Sequence, residues 1–140
     1  MLTHSNSIDN KYSEDTYSAQ RRILIVDDDF DLTSMFKMVL EMNGFDVDAY
    51  NDPLLALHDF KANSYGMALV DIRMPQLNGF EFYKKIQEKD NKMKVCFITA
   101  FEDYNAEFKQ SFPQLDESKC FVRKPKAVED LVKHVAAILG

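Results

Sequence analysis

Ile23-Leu24-Ile25-Val26-Asp27-Asp28-Asp29 is the stretch on which the fold turns. Four aliphatic residues with no polar residue among them stop abruptly at three aspartates. A run that is apolar on both faces suits a central parallel strand covered from both sides. The same texture returns downstream. Met67-Ala68-Leu69-Val70 stops at Asp71, Val95-Cys96-Phe97-Ile98 at Thr99-Ala100, and Cys120-Phe121-Val122 closes on Lys124-Pro125. Phe45 to Tyr50 instead alternates apolar with acidic residues, as an edge or half-exposed strand does.

Helical patterns fill the intervals. Leu32, Met35, Phe36, Val39 and Leu40 recur at the spacing of an amphipathic helix, and Gly44 supplies its stop. Either Asp29 or Asp31 is expected to cap it. Asp52-Pro53 is a helix start, an N-cap side chain before a proline whose missing N–H costs nothing there, and Leu54 to Phe60 carries that helix. Phe80, Phe82, Tyr83 and Ile86 begin a third helix, with Gly79 serving the turn before it. Tyr104, Phe108 and Phe112 mark another, ended by Pro113. The last runs from about Ala127, with Val128, Leu131, Val132, Val135 and Leu139 on one face and Glu129 and Asp130 suiting its N-terminal dipole. Five strand-then-helix units imply right-handed crossovers and a doubly wound α/β domain with a five-stranded parallel sheet. That domain is expected over residues 21–140. Residues 1–20, polar and without period, read as a flexible N-terminal tail.

Composition narrows the function classes. The 140 residues fit one domain, and 46% hydrophobic with 29% charged content is that of an ordinary globular protein. A net charge of −6 argues against nonspecific attraction to nucleic acid or to an anionic membrane. No apolar run is long enough to span a bilayer, and no secretory signal opens the chain. Cys96 and Cys120 read as buried reduced thiols of a cytoplasmic protein. His4, His58 and His134 share no metal-ligand spacing and read as surface residues.

In open α/β sheets the ligand site lies beyond the carboxyl ends of the strands. Here those ends carry Asp27-Asp28-Asp29, Asp71, Thr99 and Lys124. Converging carboxylates repel unless a cation neutralises them, and hard oxygen ligands favour Mg²⁺. A carboxylate can attack phosphorus to form an acyl phosphate, given positive charge and a donor at the phosphoryl oxygens. Mg²⁺ and Lys124 would supply the charge and Thr99 a hydroxyl. These residues form a complete constellation for phosphorylation of an aspartate.

Four segments, ILIVDDD (23–29), ALVDIRMPQLNG (68–79), CFITA (96–100) and FVRKP (121–125), stand in order at the strand ends. In them the chain resembles the receiver domains of two-component response regulators, of the stand-alone, single-domain type, over roughly residues 21–139. The resemblance implies a flavodoxin-like (βα)5 fold with strand order 2-1-3-4-5. It also implies Asp71 as phosphoacceptor, with Thr99 and Lys124 assisting, and Mg²⁺ held by Asp27, Asp28, Asp71 and the backbone carbonyl of Arg73. Thr99 and Phe121 fall on the switch positions, and the Lys124-Pro125 bond would be cis. The implied protein is a signalling switch and not an enzyme in the usual sense, catalysing only its own phosphorylation and dephosphorylation. Its donor would be a sensor histidine kinase or histidine phosphotransfer protein, and its output contact with a downstream protein target.

Several residues depart from the family pattern. Phe121 stands where Tyr is commoner, the interval from Thr99 to Lys124 is longer than usual and carries Pro113, and Arg73 and Phe101 flank the site. Two other functions compete. Asp27-Asp28-Asp29 offers the D-x-D of a haloacid-dehalogenase-type phosphatase with Asp27 as nucleophile, but Phe30 fits that pattern poorly and a cap domain has no room. A flavodoxin-like cofactor binder lacks its phosphate loop after the first strand.

Overall fold

β1 (Arg22–Val26) lies between β2 (Asp46–Tyr50) and β3 (Met67–Asp71), because its aliphatic residues need cover on both faces. β4 (Lys94–Thr99) and β5 (Phe121–Arg123) continue a five-stranded, all-parallel sheet in the order β2-β1-β3-β4-β5. The structure is a computed structural model that describes residues 20–99, 110, 121–123 and 127–139. Residues 1–19 of the tail expected over 1–20, the helical stretch around Pro113, Cys120 and the Lys124-Pro125 bond lie outside the described residues.

Alternation along the strands divides the core in two. Ile23 and Ile25 face α1 (Phe30–Met42) and α4 (Ala127–Leu139), in a cluster with Phe36, Leu40, Leu69, Ile98, Leu131 and Val135. Leu24 and Val26 face α2 (Pro53–Asp59) and α3 (Gly79–Lys89), with Ala56, Val70, Phe80, Phe82, Ile86 and Phe97. This is the doubly wound arrangement expected from the strand runs. Cys96 is fully buried in the first cluster, as its run predicts. Among the described residues no helix is long and apolar enough to cross a membrane.

Helix ends follow local chemistry. Asp29, not Asp31, caps α1: its side chain accepts from the Leu32 N–H at 3.1 Å. Gly44 adopts φ +88°, just past the helix, where only glycine is unstrained. Asp52 caps α2 as expected, with Pro53 at its first position. Phe60 is not helical; its extended backbone drops the ring into the core, against Tyr65 at 6.0 Å. The stripe of α1 also needs one correction. Phe36, Leu40 and Thr33 are buried, whereas Met35 is 37% exposed. Met35 sits on the flank, since 100° per residue carries it off the line through 33, 36 and 40.

One polar cluster ties the edge strand to the sheet. The Tyr65 hydroxyl donates to Asp48 at 2.7 Å, and Arg22 reaches the same carboxylate at 3.3 Å. Burial, and then this hydrogen bond, pushes the Tyr65 phenol above its ordinary value of 10.0. The folded state therefore keeps the proton longer than the unfolded chain does. Its contribution is complete below about pH 10 and is lost as pH rises through the raised folded-state value. Tyr65→Phe is expected to cost about 1 kcal/mol at neutral pH and to flatten the alkaline loss of stability. Urea midpoints at about pH 8 and about pH 11 check this; an unchanged alkaline slope would refute it.

Candidate functional site

Val26 of β1 lies opposite Val70 of β3, so Asp27 and Asp71 leave the sheet at the same edge. Asp27, Asp28 and Asp71 each offer one carboxylate oxygen, all within 4.8 Å of one another. Asp27 and Asp71 are buried, at 0% and 3% exposure, while Asp28 is open to solvent. Three carboxylates this close repel, and a cation among them removes the repulsion. Sequence and structure agree on this cluster.

Backbone bonds fix the acidic turn. The Asp27 N–H donates to the Tyr50 carbonyl at 3.0 Å, and the Asp27 side chain accepts from the Asp29 N–H at 3.0 Å. Behind Asp71, the Ile72 N–H donates to the Ile98 carbonyl at 3.2 Å and the Gly79 N–H to the Ile72 carbonyl at 2.8 Å. Asn78 and Glu81 exchange both bonds of a capping box, at 2.9 and 3.0 Å, and so lock the start of α3 beside the site.

Gly79 does not serve the turn expected of it. It is the first residue of α3, and a Cβ there would collide with the Asp71 carbonyl oxygen and come within 2.9 Å of the Ile72 Cα. Glycine is needed because the helix start rests directly on the end of β3. The left-handed position in this loop belongs to Gln76, at φ 72°. A side chain costs about 1–2 kcal/mol in that conformation. Gln76→Gly is therefore expected to raise stability by up to about 1 kcal/mol, after the extra freedom glycine gives the unfolded chain. A lower urea midpoint for the variant would refute the strain.

The other expected site residues are partly placed. The Thr99 backbone ends β4 opposite Arg123, one step beyond the Asp71–Ile98 pair. Phe121 pairs with Phe97 at the start of β5, not at its carboxyl end. The side chains of Thr99 and Phe121, and all of Lys124, lie outside the described residues. The Arg73 N–H faces the Asp71 carboxylate at 3.4 Å. Asn51 was not singled out by its sequence context, which reads only as the approach to a helix cap. Its side-chain amide donates to the Asp27 carbonyl at 2.7 Å and to Thr33 Oγ1 at 3.0 Å.

The donor set suits Mg²⁺. It consists of three carboxylates, two of them buried and one open to water. An octahedral ion with oxygens at about 2.1 Å puts opposite ligands roughly 4.2 Å apart, close to the spread of this cluster.

The family model for the response regulator receiver domain matches residues 23–136. The chain belongs to that family. The receiver domain is similar to the transcriptional regulatory protein CpxR homolog of Haemophilus influenzae, at 42% identity over 79 residues, 56% of this chain and 34% of that protein. It is also similar to the transcriptional regulatory protein TrcR of Mycobacterium tuberculosis, at 28% identity over 118 residues, 84% of this chain and 45% of that one. The chain thus spans less than half the length of either regulator. Among solved structures, the response regulator TrrA of Thermotoga maritima in complex with Mg²⁺ and BeF superposes with a TM-score of 0.70 at 26% identity, covering 84% of this chain and 98% of that one. The BeF3-activated DrrB receiver domain gives 0.72 at 23% identity over 84% and 96% of the two chains, a likeness of fold.

Proposed function

We propose that this receiver domain is a phosphorylation-dependent signalling switch in which Asp71 accepts the phosphoryl group. The observation that carries the reading is the buried Asp71 carboxylate at the end of β3, within 4.8 Å of Asp27 and Asp28. A carboxylate oxygen of Asp71 attacks phosphorus, the P–N bond of a donor phosphohistidine breaks, and the histidine leaves with the electron pair. Asp27, Asp28, Asp71 and the Arg73 carbonyl would hold Mg²⁺, which supplies positive charge to the phosphoryl oxygens when bound. The TrrA complex with Mg²⁺ and BeF supports the metal by relationship. Thr99 donates its hydroxyl to the new phosphoryl group and Lys124 its charge, and Phe121 follows Thr99 as the switch. Phosphorylation then shifts the balance between two conformers.

The donor is a sensor histidine kinase or a histidine phosphotransfer protein of the cytoplasm, and the output is a contact with a downstream protein. Phe30 stands 67% exposed at the start of α1, directly after the acidic turn. An aromatic ring left in water beside the site supports docking of a protein there. Nothing in the family match or the fold favours the dehalogenase-type alternative with Asp27 as nucleophile.

Incubation with Mg²⁺ and acetyl phosphate or phosphoramidate, followed by intact mass, tests the reading. A gain of one phosphoryl group, abolished by chelating the metal, is expected. No adduct together with no response to beryllofluoride would overturn it.

A further inference from the structure

Asn51 holds the acidic turn at two points. Its Nδ2 carries two hydrogens; one bond runs to the Asp27 carbonyl at 2.7 Å and one to Thr33 Oγ1 at 3.0 Å. Thr33, 2% exposed, passes its own hydroxyl hydrogen to the Phe30 carbonyl at 3.1 Å. The neighbouring Tyr50 carbonyl takes the Asp27 N–H at 3.0 Å. The end of β2 therefore grips both ends of the segment that carries Asp27 and Asp28, the short link between β1 and the first turn of α1.

That grip opposes a specific force. Asp27, Asp28 and Asp71 bring three like charges within 4.8 Å. Without a cation that repulsion acts to spread the turn, and Asp28, exposed to solvent, stands on the part of it that would move. A turn free to spread must be gathered again when a cation binds, and the cost appears as weaker affinity. A turn already tied at Asp27 and Thr33 is gathered in advance.

We propose that Asn51 is a positioning residue for the metal site: its amide preorganises Asp27 and Asp28 and so sets the affinity for a divalent cation. The inference rests on the Mg²⁺ reading given above. It deepens that reading by assigning affinity to a residue on β2's carboxyl end that touches neither metal nor phosphoryl group.

Asn51→Leu keeps the size of the side chain and removes both donors. Calorimetric titration of the full chain with Mg²⁺ is expected to show dissociation about tenfold easier than in the wild type, the usual scale for loss of a residue that orients a metal ligand. The rise in Tm on adding Mg²⁺ shrinks accordingly, and saturating Mg²⁺ returns the rate of phosphorylation by acetyl phosphate to near the wild-type value. Thr33→Val removes the outer tie alone and is expected to weaken Mg²⁺ by about threefold; it carries the test if Asn51→Leu does not fold. Equal Mg²⁺ affinity in wild type and in the folded variants, with Tm lowered by the same amount in chelator and in Mg²⁺, means a purely structural role and overturns the proposal. A wild type that binds no Mg²⁺ overturns the metal reading itself, a separate and distinguishable failure.

Discussion

Asp71→Asn is expected to show no mass adduct after treatment with Mg²⁺ and acetyl phosphate under conditions that phosphorylate the wild type. The amide carries no negative charge and its oxygen is a poor nucleophile toward phosphorus, so the loss should be complete on the timescale of the assay. An adduct that survives the substitution would move the acceptor to another residue. Stability is expected to change in the opposite direction. Asp71 is 3% exposed and shares its 4.8 Å cluster with two other carboxylates. Replacing it with a neutral group of the same shape relieves repulsion among like charges, and the variant should gain about 1 kcal/mol in chelator. With Mg²⁺ the order narrows or reverses, because the wild type gains binding energy that the variant has partly lost. Thermal melts with and without Mg²⁺ read both effects. A variant less stable than the wild type in chelator would show that Asp71 is held by attraction rather than strained by repulsion.

Gly79→Ala is expected to destabilise the fold by about 3 kcal/mol, the upper end of what an inserted methyl group costs where packing is tight. Helix propensity alone argues the reverse, since alanine is favoured over glycine inside a helix by about 1 kcal/mol. The neighbours decide the sign. The added Cβ would meet the Asp71 carbonyl oxygen, the Ile72 Cα at 2.9 Å and the Asp71 carbonyl carbon at 3.1 Å. These are backbone atoms at the end of a central strand, and no rotamer change moves them aside. The helix start must lift or the strand end must shift, and a shift carries Asp71 with it. Weaker Mg²⁺ binding should therefore accompany the lower urea midpoint. An unchanged or raised midpoint would show that α3 can withdraw at little cost.

Much of this was legible before any coordinates. Ile23 to Val26 and Met67 to Val70 read as buried parallel strands because hydrophobic patterning and strand length are local properties. Asp52 read as a cap for the same reason, bonding to N–H groups two and three residues away, whereas the choice of Asp29 over Asp31 was left to the structure. The acidic cluster was legible one step removed: aspartates at the ends of parallel strands must share an edge. Gly79 was misjudged and Asn51 passed over because their roles depend on partners distant in sequence. Met35 was assigned to the core because spacing gives the period of a stripe but not where its centre meets the sheet.

By itself, then, the sequence determined a doubly wound parallel sheet with Asp27, Asp28 and Asp71 gathered at one edge, since strand periodicity and strand ends are written within short windows. Only the tertiary structure decided what holds those carboxylates there. The Asn51 amide reaches Asp27 from 24 residues away, and the Gly79 backbone lies flat against the Asp71 carbonyl. Such contacts arise from packing between elements, and a single chain read in order carries no signal for which atoms packing will bring together.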